Sequence, residues 1–247
     1  MKIGIFIFSF FIISIQVFGQ KKNINVPINN KGDTSYYFKS SIELNKKLHL
    51  TDLKNSPNDF YFRVWYIGSV VYTAIDVFKV SDSNFKAIVT FYTKEYINHP
   101  EEKPTGRIFN KSFEIDSSNS FKVYQFINSR NINSIPSEEY IKGWSLGLDG
   151  EVYIFERLDK NNYSLKSYWT PSAQDSLKEA KEIESFNKDL YSMLNVNKLR
   201  TIFYKDIPFE CYGGDGSRVG IRALTKQEER KYKKERDQYR KLNNIEN

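Results

Sequence analysis

The hydrophobic pattern reads most clearly as a strand in DFYFRVWYIG, residues 59–68. Phe60, Phe62, Val64 and Tyr66 fall on one parity, and Tyr61, Arg63 and Trp65 on the other. That is the two-residue period of a strand. VVYTAIDVFKV (70–80) and FKAIVTFYTKEY (85–96) are β-branched and aromatic in the same way, and SDSN (81–84) between them predicts a hairpin turn. Three such strands with short connections make an antiparallel meander. RIFNKSFEID (107–116) predicts a fourth strand after the loop NHPEEKPTG.

The period then changes. NSFKVYQFINS (119–129) predicts a short helix with Phe121, Tyr124, Ile127 and Phe126 on its inner face. EVYIFERL (151–158) and YSLKSYWT (163–170) return to strand patterning around the turn DKNN, and Pro171 ends the second strand because it has no amide to donate. The clearest helical stripe follows. Leu177, Ala180, Ile183, Phe186, Leu190 and Met193/Leu194 recur at three- and four-residue steps. Ser172 and Asp175 resemble a capping pair at its start. Residues 199–211 are mixed and predict a short strand or turn, and GGDG (213–216) a loop. TKQEERKYKKERDQYRKLNN (225–244) predicts a charged terminal helix capped by Thr225 and Glu228, with too few apolar positions to dock firmly. No internal repeat is visible.

These elements predict an α+β fold: a curved antiparallel sheet packed against one long amphipathic helix, with a charged C-terminal helix. A sheet curled round a helix, as in cystatin-like or NTF2-like folds, is the nearest analogy. The expected division is a signal peptide at 1–19, a polar flexible leader at 20–34, a single α+β domain at 35–212, and a loop with a charged helical tail at 213–247.

The first residues carry the address. MKIGIFIFSFFIISIQVFG has one lysine, an apolar run from Ile3 to Ile15, and Val17 and Gly19 at the −3 and −1 positions of a small-residue cleavage site. The run is short for an uncleaved anchor, which needs about 20 apolar residues. The expected location is therefore periplasmic or extracellular, with Gln20 first in the mature chain and no integral span remaining. Cleavage removes Lys2 and no acid, so the formal charge falls from +7 to +6. Acids and bases are interleaved, and no helix-turn-helix, zinc-finger or RNP-type motif is present, which argues against nucleic acid as a partner. Cys211 is the only cysteine, so no disulfide framework supports the fold.

Few chemistries find their residues here. His49 and His99 are the only histidines, and neither has a second His or Cys at ligand spacing, so no metal is expected. There is no EF-hand run, no G-x-S-x-G, and no P-loop lysine after the glycines of GGDGSRVG; no cofactor is expected either. Cys211 has no histidine near it in sequence and reads as a buried thiol. A carboxylate pair, as in glycosidases, is set by space and not by sequence spacing. Trp65, Trp144 and Trp169 are the aromatics that could face a sugar, with core packing as the plainer reading.

Arg63 and Glu156 stand out for another reason. Arg63 lies between Tyr61 and Trp65 on its face, and Glu156 shares a parity with Val152, Ile154 and Leu158. A charge among apolar neighbours must be paired. The pattern predicts that the two pair across one sheet, or through one neighbour, and so fix its register.

GLDG (147–150), the hairpin that follows it and the closing Tyr168-Trp169-Thr170-Pro171, with FYFRVW as companion strand, resemble a module of exported bacterial proteins that carries no assigned activity. The resemblance implies a location and no catalytic residue. The function expected is non-catalytic binding or interaction, with another envelope protein or a glycan as partner and Arg63, Trp65, Trp144, Glu156 and Trp169 as candidate contacts. The alternative is a carboxylate-dependent hydrolase acting on cell-wall or other glycans.

Overall fold

A computed structural model describes residues 22–28, 32–97, 102–214 and 219–245. The expected signal peptide, His99 and part of the GGDG loop lie outside them. The chain runs β1 (Asn23–Asn25), α1 (Tyr36–Lys47), β2 (Phe60–Ile67), β3 (Tyr72–Ser81), β4 (Asn84–Glu95), β5 (Ile108–Ile115), α2 (Ser117–Ser129), β6 (Val152–Asp159), β7 (Asn162–Trp169), α3 (Lys178–Met193), α4 (Val196–Asp206), β8 (Cys211–Gly213), β9 (Val219–Ile221) and α5 (Lys226–Leu242).

The strands form one open, mostly antiparallel sheet in the order β1-β7-β6-β2-β3-β4-β8-β9, with β5 also on β4. Only β1 is parallel to its neighbour, β7. β4 is long enough to outrun β3, whose last pair is at Tyr92: β5 runs along one edge at Ala87–Lys94, and β8 takes the other edge at Lys94 and Glu95. The meander β2-β3-β4-β5 is the one the alternation predicts.

The sheet is covered on both faces, which is why β2 is buried from Phe60 to Tyr66. Phe60, Phe62, Val64 and Tyr66 face the larger core cluster, which takes in residues of α2, α3 and α4. Phe186 of α3 meets Phe62, Phe126 and Phe155 there. Burial of one such ring stabilises by roughly 1.5–3 kcal/mol. Tyr61 and Trp65 face a second cluster, under α1 and the segment that follows it.

Several elements depart from the pattern. α1 is absent from the sequence reading: its fully buried positions are Ser41 and Asn45, which interrupt the stripe of Tyr37, Phe38, Leu44 and Leu48 that packs on the second cluster. Part of the supposed flexible leader is β1, recruited by the free edge of β7. Residues 196–206 are helical, not a strand or turn, because Asn195 turns the chain in the left-handed region and lets a second helix start. Helix α3 begins at Lys178, not at the Ser172–Asp175 pair. Gln174 is instead bonded to both the amide and the carbonyl of Ser145. In α2 the inner positions are Ser120, Val123 and Ile127, with Phe121 43% exposed. The Ser120 hydroxyl accepts from the amide of Ala87 at 3.0 Å, which pulls that side of the helix onto β4.

The terminal helix α5 has the expected reciprocal cap between Thr225 and Glu228. It is not loosely held, as its charge pattern implied. Tyr232 enters the larger core cluster, Arg236 and Arg240 both reach Glu102, and Glu235 meets Arg107. Long basic side chains supply the docking that aliphatic ones usually do.

Candidate functional site

The two faces of the sheet each carry one polar cluster. On the α1 face, Arg63 stands opposite Glu156 of β6 on one side and Asp76 of β3 on the other. The ion pair itself is with Asp76: Nε donates to Oδ1 at 2.6 Å. Another guanidinium nitrogen donates to Asn45 Oδ1 at 2.7 Å and to the carbonyl of Thr51. Glu156 is bonded elsewhere, accepting from Trp65 Nε1 at 2.5 Å and from the Tyr163 hydroxyl at 2.7 Å. The expected cross-strand neighbours are thus in register, but Asp76 takes the contact that the sequence pattern assigned to Glu156. Burial alone would lower the Arg63 guanidinium, yet the charges of Asp76 and Glu156 outweigh it and hold it above its ordinary value. Arg63 is fully buried and has four protein partners. Nothing in this cluster opens to solvent.

On the opposite face, where β2 ends and β6 begins, a cleft of about 720 Å³ opens between the sheet and the α3–α4 corner. Its sheet wall is Tyr66, Glu151 and Tyr153; its helical wall is Glu184, Asn187, Tyr191 and Arg200. Asn187 is 4% exposed and sits on the buried stripe of α3, four residues after Ile183 and three before Leu190. The Tyr66 hydroxyl donates to its Oδ1 at 2.9 Å, which leaves Nδ2 as a buried donor with no partner among the described residues. Glu184 Oε1 and Arg200 Nε are in the same condition. Such groups carry a desolvation cost of about 1–3 kcal/mol each.

Arg200 is the counterpart of Arg63. Its terminal nitrogen donates to the hydroxyls of Tyr191, at 3.0 Å, and Thr73, at 3.3 Å, and its guanidinium lies near the rings of Phe91 and Tyr191. Among the described residues no acid lies within ion-pair distance of it. Burial raises Glu184 above the usual carboxylate range, with Tyr153 opposing the shift and Glu151 adding to it. Burial likewise raises the hydroxyls of Tyr66, Tyr153 and Tyr191.

The GLDG segment holds one wall of this cleft. A side chain at Gly147 or Gly150 would collide with the Trp169 ring, and one at Gly68, whose φ is +113°, would collide with the carbonyl of Gly150. Trp144 Nε1 donates to the Trp169 carbonyl at 3.1 Å. Thr170, a β-branched residue in the left-handed region at φ 39°, donates its amide to the Glu151 carbonyl and accepts from the Glu151 amide through Oγ1. These contacts fix Glu151 at the rim.

Of the five residues the sequence singled out, Arg63, Trp65 and Glu156 meet under α1, and Trp144 and Trp169 meet behind GLDG. None lines the cleft. The residues that do were missed, although two left a signal. Asn187 and Arg200 are polar residues on otherwise apolar helical stripes, Arg200 lying four after Val196 and three before Phe203. Cys211 is buried, and its thiol is raised by burial and then by Glu210. Among the described residues no three His, Cys, Asp or Glu side chains converge as a metal would need, and no helix is long and apolar enough to cross a membrane. Compared with protein-family profiles and with curated proteins, the chain matches none.

Proposed function

We propose that this is an exported, non-catalytic binding protein that holds a small polar ligand in the cleft beside α3 and α4. One observation carries the reading: three residues that line a single concavity, Glu184, Asn187 and Arg200, each hold a buried side-chain atom (Oε1, Nδ2 and Nε) without a partner among the described residues. Buried polar groups in folded proteins are mostly paired, so three exceptions around one concavity call for an explanation, and a bound polar ligand supplies one. The volume lies in the range of small-molecule sites. In this reading the sheet curls round α3, the signal peptide delivers the chain to the periplasm or beyond, and the partner is a glycan, or an envelope component that presents the ligand. Thermal-shift screening of the purified chain against small polar metabolites tests it. A ligand whose effect disappears in Asn187→Leu is the expected result, and a cleft that no small molecule enters refutes the reading.

A second reading has its own observation. Glu184, raised by burial, and Glu151, at the rim, share the cleft. Two carboxylates in one cleft are the arrangement that glycoside hydrolysis uses. Turnover of a glycan that is lost in both Glu184→Gln and Glu151→Gln would replace binding with a carboxylate-dependent hydrolase acting on glycans.

A further inference from the structure

We infer that the cleft takes an acidic sugar, its carboxylate held by Arg200 and the start of α4 and its hydroxyls shared among Glu184, Asn187 and the tyrosines. The inference rests on the binding reading above and specifies its ligand.

The charge of the lining comes first. Lys188, Lys198 and Arg200 face Glu151 and Glu184, three bases against two acids. Burial moves Glu184 toward its neutral form, which tips the balance further. Arg200 is the most committed of the bases, since its protein partners are hydroxyls and its Nε has none among the described residues. A guanidinium takes a carboxylate through two parallel N–H bonds, a geometry that a hydroxyl does not complete.

The helix beside it points the same way. Asn195, which precedes α4, makes no side-chain bond to the first turn, and Asn195, Asn197 and Lys198 all line the cleft. The positive end of an eleven-residue helix favours an anion, although the Lys198 amide is already bonded to the Asn195 carbonyl. The buried, unpartnered Asn187 amide is an independent donor on the same wall.

The rest of the lining is not that of a simple anion site. Glu184 Oε1 calls for a donor, and the hydroxyls of Tyr153, Tyr191, Ser69 and Ser192 both give and accept. Three tyrosine rings, Tyr66, Tyr153 and Tyr191, offer apolar surface between these groups. A sugar ring matches that mixture, with hydroxyls on its edge and C–H bonds on its faces. A uronate adds the carboxylate.

Isothermal titration of the full purified chain with D-glucuronate, D-glucose and inorganic phosphate tests this, using the wild type, Arg200→Gln and Arg200→Lys. Glucuronate should bind the wild type at least about tenfold more tightly than glucose or phosphate, the scale of a charge-assisted bidentate contact. Arg200→Gln should bring glucuronate down to the level that glucose shows in the same variant, and Arg200→Lys should fall between, keeping the charge without the fork. Should Arg200→Gln fail to fold, the lysine variant and the wild-type pair of sugars decide the matter. Equal binding of glucose, equal binding of phosphate, or glucuronate binding indifferent to Arg200 would each overturn the inference. If neither sugar binds while another small molecule enters the cleft, the acidic-sugar assignment falls and the binding reading stands. A cleft that takes nothing removes both.

Discussion

Arg63 and Arg200 lie against opposite faces of the same sheet and are solved in opposite ways. Arg63 is enclosed, faces an acid on each neighbouring strand, and spends its donors on Asp76, Asn45 and Thr51. Arg200 borders a cleft, leans on two aromatic rings and bonds only hydroxyls. A buried charge with every partner supplied by the chain serves register and packing. One with unused donors at the edge of a cleft has room for a further partner, and the binding proposal rests on that contrast.

Breaking the satisfied side should cost most. Arg63→Ala leaves Asp76 and Glu156 buried on either side of β2 without their cation, and the expected loss is about 3–5 kcal/mol in denaturant unfolding. Adding Asp76→Ala should cost less than the sum of the single changes, with a coupling of about 0.5–3 kcal/mol. The coupling to Glu156→Ala should be smaller, because Trp65 and Tyr163 hold that carboxylate. Equal couplings would place the ion pair differently.

The tail comes next. Tyr232→Ala empties a core position, and a loss of about 2–4 kcal/mol is expected, as for other large-to-small changes. Deleting residues 225–247 should lower the unfolding temperature by at least as much. An unchanged midpoint would mean that α5 is the dispensable helix its charge pattern suggests.

Gly150→Ala acts on the wall of the cleft. The new methyl would meet Thr170 and Trp169, so a shift of the loop and a loss of about 1–3 kcal/mol are expected. Because Glu151 follows directly, ligand affinity should fall with stability. A variant that unfolds earlier but binds unchanged would detach the GLDG segment from the site.

The smallest effect is a pH dependence. Glu184 is raised in the folded chain, so folding is favoured by its proton. That contribution is complete below the ordinary carboxylate value and is lost as pH rises through the raised one. Glu184→Gln should therefore raise the melting temperature near neutral pH by roughly 1–3 °C, and the gain should shrink toward about pH 4. A gain that grows on acidification would reverse the sign and contradict the burial of this group.

The sheet was legible because its chemistry is local. The aromatic and β-branched runs 60–66 and 151–158 mark the strands, and the parity of Arg63 and Glu156 foretold their opposition across β2 and β6. What was not legible depends on the third dimension. Asp76 could not be chosen over Glu156 as the ion-pair partner, since either parity fits. The apolar signal of α1 is broken by Ser41 and Asn45, which face inward between Tyr37, Phe38, Leu44 and Leu48, and β1 depends on β7 having an edge to fill. The tryptophans drew attention by size, yet they support walls and do not line one. Asn187 and Arg200 were readable as breaks in two helical stripes, a quieter sign and the better one.

The most direct test compares Arg200→Gln with Arg63→Gln in one experiment: unfolding of the free chain, and the thermal shift produced by D-glucuronate. Arg200→Gln should leave the free chain within about 1 kcal/mol of the wild type, as changes outside a satisfied network do, and abolish the ligand shift. Arg63→Gln should destabilise by several times as much and keep the shift wherever the chain is folded. If Arg200→Gln unfolds like Arg63→Gln and the remaining folded chain still responds to the ligand, both arginines are structural and the cleft is not the site.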